Sequence, residues 1–127
     1  MDENFRNAAR RHWNDGRTLT NCNRMDNADQ LYGFAAECAL KSALVVLGLF
    51  HEQAHRKHIN ELWSKMQGTR FYSAFPGLAQ LLVGTNPFAD WDVRQRYFED
   101  GYITEQVLQK HEDCARRILI AAGLYRG

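Results

Sequence analysis

The sequence predicts an all-α protein, an antiparallel up-and-down bundle of four or five helices. Three observations point there. Apolar residues recur at spacings of three and four along most of the chain. No segment alternates strictly between apolar and polar residues, and only Pro76 and Pro87 interrupt 127 residues. With 45% apolar and 12% aromatic residues the chain can bury a core without disulfides or a structural metal. Its length suits one domain, so residues 1–127 are read as a single unit.

The stretch from Asn4 to Asn21 predicts a first helix with a weak centre, since Gly16 costs about 1 kcal/mol inside a helix. Asp26 or Asn27 is placed to cap a second helix running to about Leu47. Leu31, Ala35, Cys38, Ser42, Val45 and Leu49 mark one face of it, and Phe34, Ala39, Ala43 and Leu47 cover neighbouring faces. Such a helix is buried on most sides, with Leu40 and Leu44 in the core and Gly48 suited to end it. After the polar segment His51–Lys57, the repeat Ile59, Leu62, Trp63, Met66 makes a short third helix before Gly68. Ser73 to Val83 resumes the pattern with Pro76 in its first turn, and Gly84 to Trp91 reads as a loop. Ile103, Val107, Leu108, Cys114, Ala115, Ile118, Leu119 and Ala122 describe a long last helix, with Thr104 as cap and Gly123 as stop.

Sixteen basic and fifteen acidic residues give a formal charge of +1, which argues against strong nonspecific attraction to nucleic acid or anionic membrane. Any basic patch must be local. Cys22, Cys38 and Cys114 form neither an even set nor a close pair, and the first residues contain no apolar leader, so a reducing cytoplasm is the expected compartment. The longest apolar stretch, Ala43 to Phe50, is far shorter than the roughly 20 residues a bilayer-spanning helix needs, so no membrane partner is expected.

The run Leu31 to Gly48 (LYGFAAECALKSALVVLG), followed by His58-Ile59-Asn60-Glu61-Leu62, then Arg96-Tyr97, Ile103-Thr104-Glu105 and a long final helix, resembles HEPN domains over residues 8 to 123. The resemblance implies a four- or five-helix bundle, commonly dimeric. It also implies settings such as minimal nucleotidyltransferase pairs, toxin–antitoxin systems and phage defence. Catalytic members of that family are metal-independent ribonucleases carrying an arginine and, four to six residues later, a histidine near the final helices. Arg94 and Arg96 have no histidine at that distance, the next being His111. The resemblance therefore favours a noncatalytic member, without cofactor, acting as a homodimer or with a nucleotidyltransferase or defence protein.

Other motifs offer sharper chemistry. His51-Glu-Gln-Ala-His55 matches HExxH, in which two histidines one turn apart bind zinc and the glutamate activates water; His58 is a candidate third ligand. Following Gly48 and preceding Arg56-Lys57, it reads instead as a solvated connecting turn. Arg6 and His12 have the ribonuclease spacing, with arginine to stabilise phosphorane charge and histidine to move a proton, but they fall in the first helix. Arg10, Arg17 and Arg24 recur at sevens and with Arg6 form either a phosphate-contacting stripe or a solvated face. Glu37 and Lys41, one turn apart on the most apolar helix, read as an ion pair. Asp90, Asp92, Arg94, Arg96 and Tyr97 concentrate charge and aromatic surface before the last helix, either binding a phosphate or partner carboxylate or tying the loop to the bundle. His58 is read as capping or orienting the third helix. The candidate binding residues are thus Asp92, Arg94, Arg96, Tyr97, Lys41 and His58, for a protein partner first and RNA or a nucleotide second. Trp13, Phe71 and Tyr72 are candidates for exposed aromatic surface at a dimer contact.

Overall fold

The structure, a computed structural model, describes residues 3–69 and 74–126. Its helices are α1 (Phe5–Asn21), α2 (Met25–Val46), α3 (Glu52–His55), α4 (Ile59–Met66), α5 (Pro76–Leu82) and α6 (Glu105–Ala121), with a 3-10 helix over Val93–Tyr97 before the last. No strand occurs among the described residues. Three long helices, α1, α2 and α6, carry most of the packing, while α3 to α5 are only four to eight residues long. A three-residue turn sends α2 back antiparallel along α1, and α6 packs against both. No described helix is long and apolar enough to cross a membrane.

The second helix is central because its small residues let neighbours approach from several sides. Ala28, Ala35, Ala36, Ala39, Ala43, Leu40 and Leu44 are all fully buried. Gly33 and Gly16 extend this logic. A Cβ on Gly33 would lie 2.1 Å from Cε2 of Trp91, and one on Gly16 would lie 2.7 Å from Cε1 of Tyr32. Gly16 is therefore a packing requirement, not merely a weak point in α1.

Asn4 caps α1 by accepting from the Asn7 N–H, Thr104 caps α6 by accepting from the Val107 N–H, and Pro76 opens α5. Gly48 and Gly123 follow α2 and α6 with φ of 70° and 77°, the left-handed conformation that ends a helix. The start of α2 differs from expectation. Its cap position is Arg24, without a side-chain cap bond, and Asp26 lies inside the helix. The Asp26 carboxylate instead accepts from the backbone N–H groups of Gly101 and Ile103, each at 2.9 Å, so a long-range loop has taken the group that local pattern assigned to capping. Trp13 is also not exposed. It is buried between Tyr32 and Tyr125, with ring centroids at 5.4 and 5.3 Å. Phe71, Tyr72 and Ser73 lie outside the described residues.

Candidate functional site

The 3-10 helix places the candidate binding residues at the surface. The Asp92 carboxylate accepts from the Arg94 N–H at 2.8 Å, and the Gln95 side-chain oxygen accepts from the Asp92 N–H at 2.7 Å, a reciprocal cap. Gln95 is buried, and its amide donates to Asp29 on α2 at 3.0 Å, which anchors the turn to the bundle. Arg94 folds back onto Asp92 at 2.8 Å; this hydrogen bond holds the Asp92 carboxyl down at about 2. Arg96 donates to the Val93 carbonyl and lies 4.6 Å from the Tyr97 ring centroid, a cation–π stack. Every residue from Arg96 to Tyr102 is exposed, and three are aromatic. Tyr97 is 73% exposed, Tyr102 55% and Phe98 41%, with the last two in edge contact at 4.7 Å.

Lys41 and His58 belong to a different cluster. The Glu37 carboxylate is almost wholly buried and takes a hydrogen bond from Lys41 at 3.0 Å on one oxygen, while His58 Nδ1 lies 3.1 Å from the other. His58 occupies the cap position of α4 but makes no side-chain capping bond; the burial of Glu37 gives its ring a stronger partner than the exposed helix end. The Phe34 ring lies 6.1 Å from His58 on one side and 5.7 Å from His12 on the other. Burial, with Arg11 adding to it, lowers the His12 pKa.

Arg6 does not join His12. Six helical residues turn the chain through about 600°, leaving the two side chains about 120° apart around the axis and about 9 Å apart along it. Arg6 borders clefts at the bundle end, one beside Phe50 and Val46 and one beside Gly123–Arg126. The arginine stripe is likewise dispersed. Arg10 donates to the Leu124 carbonyl, Arg17 pairs with Glu112, and Arg24 sits at the α1–α2 turn.

The HExxH segment forms the four-residue α3. His51 Nδ1 accepts from the Ala54 N–H, His55 Nδ1 accepts from the His51 N–H, and Glu52 pairs with Arg56. His58 has turned to Glu37, so the three histidines do not converge, and among the described residues no group of three or more His, Cys, Asp or Glu side chains could hold a metal. Burial pushes the Cys38 and Cys114 thiols up to about 12, far from a reactive thiolate.

Inside the protein lies a polar network that the sequence reading missed. His111 on α6 is fully buried, its Nδ1 2.6 Å from Asp29 Oδ1 and its Nε2 2.6 Å from Asp90 Oδ1. Phe88 stacks on the ring at 5.0 Å, and Lys110 pairs with the other oxygen of Asp90 at 2.7 Å. Burial disfavours the imidazolium, but the two carboxylates outweigh it and the His111 pKa is raised. The signal was present: His111 falls on the same stripe of α6 as Leu108, Ala115 and Ile118. Comparison with known protein families, curated proteins and solved structures finds no match.

Proposed function

We propose that this chain is a HEPN-like helical protein, without ribonuclease activity, that acts through protein association. Homodimerisation is its first mode, with a minimal nucleotidyltransferase or a toxin–antitoxin or phage-defence protein as a further partner. The observation that carries the reading is the exposed run Arg96–Tyr102, which sets three aromatic rings and an arginine on a turn anchored to the core. Tyrosine, phenylalanine and arginine are enriched where proteins meet: the aromatics bury much area while losing little rotamer freedom, and arginine adds a planar fork of hydrogen-bond donors.

Chemistry supports the noncatalytic side of the proposal. A metal-independent ribonuclease needs a proton-moving group and a cation near the developing phosphorane charge. The first histidine after Arg96 is His111, whose two ring nitrogens are both occupied by internal carboxylates. Sedimentation of the purified chain tests the reading: a dimer, with no RNA cleavage above background in chelator, is expected. Cleavage abolished by His12→Ala or His58→Ala would overturn it.

RNA binding is a second reading, favoured by the stacking of Arg96 on Tyr97 beside Phe98 and Tyr102. Arginine and aromatic faces together suit unstacked bases. Binding of a single-stranded RNA that weakens with salt and is lost in Arg96→Ala would support it; no binding at low salt would remove it.

A further inference from the structure

A cleft of about 570 Å³ lies between the first two turns of α1 and the segment that follows α6, bordered by Arg6, Arg10, Gly123, Leu124, Tyr125 and Arg126. Half of its border is arginine and none of it is acidic, in a chain whose charges otherwise nearly cancel. Arg6 and Arg10 stand one turn apart on α1, a like-charge spacing that disfavours the helix. Arg6 is also in the first turn, where the helix dipole favours an anion over a cation. Nothing inside the protein offsets this among the described residues. Glu3, three positions before Arg6, has both carboxylate oxygens on Arg56. The side chains of Arg6 and Arg126 enter no hydrogen bond or ion pair among the described residues, and Arg10 makes one bond, from Nε to the Leu124 carbonyl at 3.0 Å. Capping the chain after α6 thus accounts for Arg10 alone, and it leaves both terminal nitrogens of that guanidinium without a partner.

We propose that this cleft binds a small multivalent phosphate, free or as the phosphate group of an organic molecule. Guanidinium groups are planar forks that match phosphate oxygens two at a time, and they stay charged throughout the physiological range. Three of them suit a group with more than one negative charge, whereas chloride or a single carboxylate leaves cations uncompensated. The cleft falls within the roughly 300–1,000 Å³ of small-molecule sites, which leaves room beside the phosphate for an organic body against the part-buried Tyr125. A nucleic-acid strand is less well served, because the basic border is confined to one end of the bundle. Further along α1 the stripe is interrupted at Arg17, which pairs with Glu112. The cleft shares no residue with the Arg96–Tyr102 turn, so the site stands whether or not the association reading holds.

Isothermal titration of the full chain with inorganic pyrophosphate at low salt tests the site. Pyrophosphate should bind more tightly than sulfate at equal ionic strength, and affinity should fall at least about tenfold in Arg6→Gln and in Arg126→Gln, which corresponds to about 1.4 kcal/mol. Both side chains are exposed, and thermal melting checks that the fold is retained. Lys65→Gln, which removes an equal charge from the exposed surface of α4, should leave affinity unchanged. Phenyl phosphate binding more tightly than inorganic phosphate supports an organic source of the group, and equal binding supports an inorganic one. An equal loss in Lys65→Gln means attraction to net charge alone and overturns the site, as does the absence of pyrophosphate binding at low salt. Single-stranded RNA that displaces pyrophosphate and itself depends on Arg6 also overturns the assignment to a small ligand.

Discussion

His111 and Asp29 meet at 2.6 Å with neither side chain exposed to solvent. Asp29 lies near the start of α2 and His111 in the first half of α6, so their contact joins two of the long helices through a buried polar bond. Asp90 takes the other ring nitrogen and brings the loop before the 3-10 helix into the same network. Two carboxylate acceptors on one imidazole call for two N–H donors, which is the imidazolium form.

Stability should therefore depend on pH through this site. The His111 pKa is raised in the folded state, so its contribution is complete below the unfolded value of about 6.5 and is lost as pH rises through the folded value. The Asp90 carboxyl, although partial burial pushes it up, is lowered overall by Lys110 and His111, so its contribution is present above about pH 4 and lost as pH falls. Melting temperature should peak between these limits and decline on the alkaline side. In His111→Gln the alkaline decline should flatten and the protein should be less stable throughout, since Asp29 then stays buried without a cation, a loss on the order of 3 to 5 kcal/mol. A melting profile with the same alkaline decline in both proteins would show that another group titrates.

Gly33→Ala should destabilise the protein although alanine is the better helix former by about 1 kcal/mol. The added methyl would sit inside the Trp91 ring, and that indole also donates to the Asp29 carbonyl at 3.1 Å, so it cannot move without breaking a buried bond. Overpacking of this kind costs about 1 to 3 kcal/mol. Thermal melting should fall and tryptophan emission should shift to the red. Gly16→Ala, whose nearest obstacle is the edge of Tyr32 at 2.7 Å, should be the milder of the two.

Long elements were legible in the sequence because their signals are local. Helical periodicity and the Thr104 cap each depend on a few neighbouring residues, and the expected Glu37–Lys41 pair lies within one turn of α2. The segment from Asp90 to Tyr97 was not legible in the same way. It reads as one cluster of charge, yet Asp90 turns inward to His111 while Asp92 and Arg94 pair with each other at the surface. What divides them is a 3-10 turn anchored by Gln95 to Asp29, 66 positions away, and no local spacing encodes that partner. The Glu37 partner of His58 was not legible for a similar reason, since it lies 21 residues earlier.

The core assignment is tested by contrast. Leu40 and Leu44 are fully buried, and truncating either to alanine should cost about 2 to 5 kcal/mol. Val46, on the same helix but 70% exposed, should change stability by less than about 0.5 kcal/mol as alanine. Denaturant midpoints at equal slope measure both. Similar small losses at all three sites would mean that α2 is not the centre of the bundle.

The Glu37–Lys41 pair separates the energy of an ion pair from that of the charges left when it is broken. Both side chains are less than a tenth exposed, and the Lys41 ammonium also lies 5.7 Å from the Phe5 ring centroid, so neither charge has ready access to water if its partner is removed. Glu37→Leu alone should be strongly destabilising, on the order of 3 to 5 kcal/mol, because an ammonium group then stays in an apolar layer. Lys41→Met alone should cost less, since His58 Nδ1 remains 3.1 Å from the other oxygen of the orphaned carboxylate. The double variant Glu37→Leu with Lys41→Met should recover most of the stability, as replacing both members of a buried pair by apolar residues of similar volume is often neutral. Urea unfolding of the four proteins gives the coupling directly. Simple additivity of the two single losses would mean that the charges are solvated independently and that this layer of α2 is open to water.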